Sequence, residues 1–127
     1  MGVGSVRTVL LVDDDDDLRM IGEMALANVG GFDVSCASSG EEALSMAERV
    51  APDVILLDVM MPGLDGPTVF ARLRERPVTA RIPVIFMTAK VQTHELARYE
   101  ALGAIGIIPK PFDPMTLADQ VRRLVGG

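Results

Sequence analysis

The chain has a single cysteine, a single histidine and no long apolar run. Cys36 alone cannot build a disulfide framework or a thiolate metal site, and no apolar stretch approaches the roughly 18 residues that predict a membrane span. Residues 1–5 lack the pattern of a signal peptide. The formal net charge is −6, and the absence of a basic cluster argues against direct binding of nucleic acid. We therefore expect a cytoplasmic domain that contacts neither membrane nor nucleic acid itself.

The length of 127 residues is typical of one domain that buries a core of its own. No repeat, low-complexity tract or internal linker divides the chain. We predict a single domain over residues 1–127, and its ordered core is expected at about residues 8–125, because chain ends are usually frayed.

Short apolar runs alternate with helical patterns along the whole chain. The runs lie at residues 8–12, 32–36, 54–57, 82–87 and 104–108, and their composition is typical of buried strands. Each run is followed by apolar residues at three- and four-residue spacing, the pattern of a helix with one buried face. This alternation predicts a parallel sheet covered by helices on both sides. Five such units are too few for a closed barrel, so they favour an open, doubly wound sheet.

Two of the helices carry further local signals. In the first, five apolar residues share the predicted inward face: Leu18, Ile21, Ala25, Leu26 and Val29. In the last, Asp113 followed by Pro114 predicts an N-cap and a first helical residue. Residues 113–114 are therefore the expected start of that helix.

Polar side chains follow four of the five predicted strands, at the point where each strand ends. They are Asp13 and Asp14, Asp58, Thr88 and Lys110. Because the carboxyl ends of parallel strands meet at one edge, three carboxylates, a hydroxyl and an ammonium should converge there. The second strand is followed only by small residues, which fits a place at the side of the sheet.

These residue types suit phosphoryl chemistry. Neighbouring carboxylates repel one another, and a divalent cation removes that conflict. A set of oxygen ligands without histidine or cysteine fits Mg²⁺, with Mn²⁺ as the alternative. Lys110 and Thr88 can then contact phosphoryl oxygens, and Asp58, at the end of the most apolar strand, can act as the nucleophile.

Simpler interpretations account for several other residues. An aspartate after a strand more often caps the next helix, and we assign that role to Asp15, Asp16 and Asp17. His94 lies early in a predicted surface helix without a sequence partner and is expected to be exposed. Cys36, within a strand, is expected to be a small buried apolar residue.

Four motifs then carry a family resemblance: Leu11-Val12-Asp13-Asp14, the segment from Asp58 to Gly66 with its Pro62-Gly63 turn, Met87-Thr88-Ala89, and Lys110-Pro111-Phe112. With these motifs the chain resembles the receiver domain of two-component response regulators over residues 8–125. The resemblance implies a flavodoxin-like sheet of strand order 2-1-3-4-5 with five helices. It also implies a phosphorylation-dependent signalling switch that catalyses only its own phosphorylation and dephosphorylation.

The resemblance further implies partners and residue roles. A sensor histidine kinase or phosphotransfer protein would donate a phosphoryl group from a phosphohistidine to Asp58, and a downstream protein or fused output domain would respond. Asp14 and Asp58 would bind Mg²⁺ directly with the backbone carbonyl of Met60, and Asp13 partly through water. Thr88 and Lys110 would hold the phosphoryl group, and the bond from Lys110 to Pro111 is expected to be cis.

Three positions extend or depart from the family pattern. Ile107 stands where the family usually has an aromatic switch residue, so the usual rotamer readout is not expected here. Met60 and Lys90 would flank the approach of water to the phosphoryl group. Methionine accepts hydrogen bonds weakly and protonated lysine not at all, which predicts a long-lived phosphorylated form.

Two other functions are compatible with a doubly wound sheet. The first alternative is a Mg²⁺-dependent phosphohydrolase with Asp58 as nucleophile, but such enzymes commonly carry a second acid where this chain has Met60. The second is a flavin-binding module. Residues 13–17 argue against it, because five aspartates would repel a phosphate.

Overall fold

The computed structural model describes residues 6–89 and 92–126. Within these residues, five strands alternate with five α-helices. The strands are β1 (Thr8–Val12), β2 (Asp33–Ala37), β3 (Val54–Asp58), β4 (Val84–Thr88) and β5 (Gly106–Pro109). The helices are α1 (Asp16–Met24), α2 (Gly40–Val50), α3 (Gly66–Glu75), α4 (Thr93–Leu102) and α5 (Leu117–Gly126). A π-helical turn, Ala25–Val29, continues α1.

All strand pairs are parallel, and the strand order is β2-β1-β3-β4-β5. Because alternate side chains of a strand point to opposite faces, the sheet has two separate core layers. One layer packs against α2, α3 and α4 and includes Phe86 and Tyr99. The other packs against the π-helical turn and α5 and includes Leu11 and Leu26. The predicted flavodoxin-like, doubly wound fold is confirmed.

The pairing register sets the carboxyl edge of the sheet. Val12 of β1 lies beside Leu57 of β3, so the residues that follow them, Asp13 and Asp58, are neighbours. On the other side of β3, the backbone N–H of Lys110 donates to the carbonyl of Thr88 at 2.9 Å. Three adjacent strands and the end of β5 therefore deliver their terminal residues to one place.

The predicted inward face of the first helix was partly wrong. Ala25 and Leu26 are buried, but 40% of Ile21 and 51% of Val29 are exposed. Gly22 of α1 lies close to β1: a Cβ added there would be 2.9 Å from a methyl group of Leu11. This centres the buried face away from Ile21. The π-helical turn adds a residue to its turn, which moves Val29 off the face.

Several element ends also differ from the sequence-based prediction. β4 begins at Val84 rather than at residue 82, and Thr88 is its last residue. β5 begins at Gly106 rather than at residue 104. The helix expected at residue 113 begins only at Leu117, because Asp113 closes a separate turn, in which its side chain accepts from the N–H of Met115 at 2.9 Å.

Candidate functional site

Three carboxylates form the centre of the site. Asp13, Asp14 and Asp58 each offer an oxygen, and these oxygens lie within 4.8 Å of one another. Asp13 is 1% exposed and Asp58 is 2% exposed, whereas Asp14 is open to solvent. The cluster predicted from the strand ends is thus formed, and its open side is the side of Asp14.

Lys110 bridges the two buried acids. Its Nζ atom lies 3.1 Å from Oδ2 of Asp13 and 3.3 Å from Oδ2 of Asp58. Among the described residues, Oδ2 of Asp13 is buried and has this ion pair but no hydrogen bond. The oxygen keeps lone pairs available for a second cation. The donor set therefore fits a hard divalent ion such as Mg²⁺.

The pKa shifts of Asp58 and Lys110 suit these two residues to different roles. Burial raises the pKa of Asp58 to about 7, the charge of Asp13 adds to this effect, and Lys110 opposes it. Burial alone would lower the pKa of Lys110, but its close contacts with the carboxylates of Asp13 and Asp58 outweigh burial and raise it. Lys110 therefore stays protonated, whereas the ionised form of Asp58 is disfavoured.

The loop after β1 holds the acids in position. The side chain of Asp15 accepts from the N–H groups of Asp17 and Leu18 at 3.0 and 3.1 Å, which confirms Asp15 as the cap of α1. Asp16 and Asp17 instead occupy its first turn. The guanidinium of Arg19 donates to the backbone carbonyl of Asp13 at 2.8 Å. Sequence reasoning missed Arg19, and its spacing of three residues from Asp16 was the available signal.

Thr88 lies at the end of β4 and is 1% exposed. Burial raises the pKa of Tyr99 of α4, and the nearby Thr88 hydroxyl opposes that rise. Sequence reasoning missed Tyr99. The Lys110–Pro111 bond is cis, as predicted. Thr88 and Lys110 thus enter the site from neighbouring strand ends.

The sequence analysis also made predictions for Met60, Ile107 and Lys90. The backbone N–H of Met60 donates to Oδ1 of Asp58 at 3.3 Å, and the Met60 side chain is 62% exposed. The role of its carbonyl as a metal ligand stays a prediction. Ile107 is half-buried and packs against the core layer that contains Tyr99. Lys90 lies outside the described residues.

The simpler interpretations agree with the structure in outline. The side chain of His94 is 74% exposed, as predicted. Cys36 is half-buried rather than fully buried. Burial raises the pKa of the Cys36 thiol to about 11, so little reactive thiolate is present at neutral pH.

Fold and site together define a flavodoxin-like domain whose ligand edge is acidic and carries a bridging lysine. A family model for the response regulator receiver domain matches residues 9–122. The response regulator PleD of Caulobacter vibrioides is 40% identical over 117 residues, which cover 91% of this chain and 25% of that protein.

Solved structures give the same result. The chemotaxis protein CheY4 of Vibrio cholerae has a TM-score of 0.86 at 31% identity. The match covers 94% of this chain and 99% of the CheY4 chain. A putative response regulator from Chloroflexus aurantiacus has a TM-score of 0.85 at 34% identity, with 97% and 100% covered. The chain belongs to the response regulator receiver family, the phosphorylation-dependent signalling switches of two-component systems.

The match covers only part of the curated relatives. The chain spans a quarter of PleD and 48% of the regulatory protein PhoP of Bacillus subtilis. Within the described residues, no helix combines the length and the apolar character needed to cross a membrane. The family assignment therefore concerns the receiver unit itself.

Proposed function

We propose that Asp58 accepts a phosphoryl group from a phosphohistidine of a sensor histidine kinase or phosphotransfer protein. The phosphorylated domain then signals to a downstream protein or a fused output domain. The observation that carries the proposal is the place of the Asp58 carboxylate. It is buried at the carboxyl edge of the sheet, beside two further acids and 3.3 Å from Lys110.

The proposed transfer follows from this arrangement. A carboxylate oxygen of Asp58 attacks phosphorus, so a P–O bond forms while the P–N bond to the donor histidine breaks. The imidazole nitrogen keeps the electron pair and takes up a proton from solvent. Lys110 binds the phosphoryl oxygens by charge, and Thr88 binds them by a hydrogen bond. Later attack by water on phosphorus breaks the P–O bond to Asp58, releases inorganic phosphate and restores the carboxylate. The domain thus catalyses only its own phosphorylation and dephosphorylation.

Asp13, Asp14 and Asp58 would hold Mg²⁺, or Mn²⁺, with the backbone carbonyl of Met60 as a further ligand and Asp13 acting partly through water. The bound ion would neutralise the acids and the incoming phosphoryl oxygens. The buried Oδ2 of Asp13 without a hydrogen bond supports this assignment. The phosphohydrolase alternative gains no support, because the exposed thioether of Met60 stands where a second acid would be needed.

Intact-mass measurement after incubation with a small phosphodonor and Mg²⁺ tests the proposal. We expect wild type to gain one phosphoryl group and Asp58→Asn to gain none, and a chelator should abolish labelling. Asp53→Asn is the matched control, because Asp53 precedes the same strand at its opposite end. Equal labelling of Asp58→Asn, or labelling that the chelator leaves undiminished, would contradict the assignment.

A further inference from the structure

The polar atoms of Asp13 have partners from four different parts of the fold. Its backbone N–H donates to the carbonyl of Ala37 in β2 at 3.1 Å. Its Oδ1 accepts from the N–H of Asp15 at 2.9 Å, and its Oδ2 lies 3.1 Å from Nζ of Lys110, which follows β5. Its carbonyl accepts from the guanidinium of Arg19 at 2.8 Å. Among these contacts, the one with Arg19 joins Asp13 to α1.

Asp14, the next acid of the cluster, is held in a different way. Its side chain is exposed, and among the described residues no hydrogen bond or ion pair engages its carboxylate. The place of that carboxylate beside the oxygens of Asp13 and Asp58 is therefore set by the backbone on either side of Asp14. That backbone belongs to Asp13 and Asp15.

Arg19 bonds to the chain on both sides of Asp14. Its backbone N–H donates to the carbonyl of Asp15 at 2.9 Å. One guanidinium nitrogen donates to the carbonyl of Asp13 at 2.8 Å, and the other donates to Oδ1 of Asp16 at 2.6 Å. Because the donors of a guanidinium are fixed in one plane, a single rigid group sets the separation of these two acceptors.

The bond to the Asp13 carbonyl distinguishes Arg19 from an ordinary surface cation. An ion pair between residues three apart on a helix, such as that of Arg19 with the exposed Asp16, contributes little by itself. The Arg19 side chain, however, is only 21% exposed, and it reaches past the start of α1 to the end of β1. It therefore joins the helix to the segment that carries the acids.

We propose that Arg19 is a positioning residue of the metal site, which keeps Asp13 and Asp14 in place through the backbone of residues 13–16. The inference rests on the proposed function, in which these acids hold Mg²⁺. Mg²⁺ demands near-ideal octahedral geometry, whereas Ca²⁺ accepts flexible coordination. A rigid segment therefore favours Mg²⁺ over Ca²⁺, and Arg19 contributes to this selectivity as well as to affinity.

Charge and position predict opposite results when Arg19 is removed. Arg19 places a positive charge next to the acidic cluster, so charge alone predicts that its loss strengthens the binding of any divalent cation. A positioning role predicts weaker binding, and it predicts a larger loss for Mg²⁺ than for Ca²⁺. The sign of the change and the difference between the two ions separate these explanations.

Titration calorimetry with Mg²⁺ and with Ca²⁺ tests the inference. Arg19→Met keeps an apolar stem but removes the charge and the donors. We expect it to bind Mg²⁺ about fivefold more weakly than wild type, less than the loss of a direct partner of a ligand side chain. Its affinity for Ca²⁺ should stay within about twofold of wild type. Arg19→Lys keeps the charge but not the planar pair of donors, so it should also lose affinity for Mg²⁺.

Arg76→Met is the matched control. Arg76 is also an ion-paired arginine, since its guanidinium lies 2.5 Å from a carboxylate oxygen of Glu48. It caps the C-terminal end of α3, a helix that approaches Asp58 at its other end, at Gly66. The variant removes the same charge away from the acidic cluster and should bind both ions like wild type.

Three results would overturn the inference. The first is Mg²⁺ binding by Arg19→Met that is unchanged or tighter. The second is an equal loss of affinity for Mg²⁺ and Ca²⁺, which would indicate a general change of the fold. The third is wild-type affinity in Arg19→Lys, because charge would then be sufficient. Urea unfolding checks that each variant is folded, and if Arg19→Met is not, the same two titrations of Arg19→Lys decide.

The wild-type protein separates this failure from failure of the proposed function. If wild type binds Mg²⁺ and is labelled at Asp58, but the Arg19 variants bind both ions like wild type, only the role of Arg19 is wrong. If wild type binds no Mg²⁺, the proposed metal site is wrong and the role of Arg19 is wrong with it.

Discussion

Asp53 and Asp58 flank the same central strand at its two ends, and their surroundings differ in every respect that matters for charge. The carboxylate of Asp53 accepts from the backbone N–H groups of Arg7 and Thr8 at 2.9 and 3.1 Å. These hydrogen bonds, first that from Arg7, lower the pKa of Asp53. Asp58 is buried, accepts one backbone bond at 3.3 Å from Met60, and has its pKa raised to about 7.

The difference separates a carboxylate that stabilises the fold from one that is held ready for a ligand. At Asp53 the chain itself supplies the donors, so the ionised form is satisfied without help. At Asp58 the chain supplies burial and a second acid, and both disfavour the ionised carboxylate. A bound cation or an attached phosphoryl group can relieve this unfavourable charge. Cavity size does not reveal this difference. A cavity of about 510 Å³ is lined in part by Asp53, and one of about 420 Å³ is lined by residues that follow Asp58 in the chain: Met60, Met61, Pro62 and Asp65.

The largest expected effect concerns Mg²⁺ affinity. Asp13→Asn removes a charge from the acidic cluster and should weaken Mg²⁺ binding by at least about tenfold, because ligand charge sets affinity for hard cations. Asp53→Asn removes the same charge at the other end of β3 and should bind like wild type. Titration calorimetry on the three proteins measures both. Equal weakening by the two variants would show that net charge alone, rather than the cluster, attracts the ion.

The next effect is a gain of stability. The folded pKa of Asp58 is raised from 3.8 to about 7, so the folded protein holds this proton more tightly than the unfolded chain does. That contribution to stability is complete below the unfolded pKa and is lost as pH rises through the folded pKa. In metal-free protein above that pKa, Asp58→Asn should therefore be more stable than wild type by about 2 kcal/mol.

Urea unfolding of Asp58→Asn and wild type with chelator present, one unit above the folded pKa and again near the unfolded value, measures this effect. The gain should shrink as pH falls, because wild-type Asp58 then becomes neutral like asparagine. A gain that is independent of pH would mean that the ionisation of Asp58 is not the cause.

Asp53→Asn should give the opposite sign with a smaller size. We expect a loss of about 1 kcal/mol, since charge-assisted bonds that join β1 to β3 are weakened in a solvent-exposed place. The folded pKa of Asp53 is lowered, so its contribution is present above the unfolded pKa and is lost as pH falls through the folded pKa. The same urea series at neutral and acidic pH measures it. If Asp53→Asn is as stable as wild type, Asp53 does not stabilise the fold, and the two ends of β3 do not differ in the way described.

The contrast also shows what the sequence can predict. The doubly wound parallel sheet and the acid cluster followed from apolar runs, four of which end in a polar residue, and the strand order followed from the family resemblance. All three are confirmed. The inward face of α1 was wrong, since Gly22 sets the close approach to Leu11 although it carries no side chain. Hydrophobic periodicity cannot register such a residue.

Two contacts of the site were missed for a different reason. Arg19 donates to the carbonyl of Asp13, and Tyr99 of α4 lies near Thr88. Both depend on where a side-chain end lies after the helix has packed, which spacing along one element does not fix. Spacing along α4 does not predict that the ring of Tyr99 packs on Phe86 of β4.

The smallest expected effect concerns water. Asp53 is exposed to water, whereas Asp58 is buried and Met60, two residues further along the chain, is 62% exposed. Hydrolysis of the aspartyl phosphate needs a water held in line with the leaving oxygen. A thioether accepts hydrogen bonds weakly and a protonated lysine accepts none, so Met60 and Lys90 should leave that water poorly oriented. The phosphorylated form should therefore be long-lived without a partner phosphatase.

Met60→Asn combined with Lys90→Glu supplies two acceptors and should speed decay severalfold, because a positioned acceptor orients the attacking water. Decay of the phosphorylated protein after removal of the donor, followed by intact mass, measures this. Met115→Asn is the matched control, since Met115 is 68% exposed and lies beyond β5 rather than beside Asp58. If the double variant decays no faster than wild type or the control, then access of water to Asp58 is set by the buried surroundings of the carboxylate and not by these two side chains.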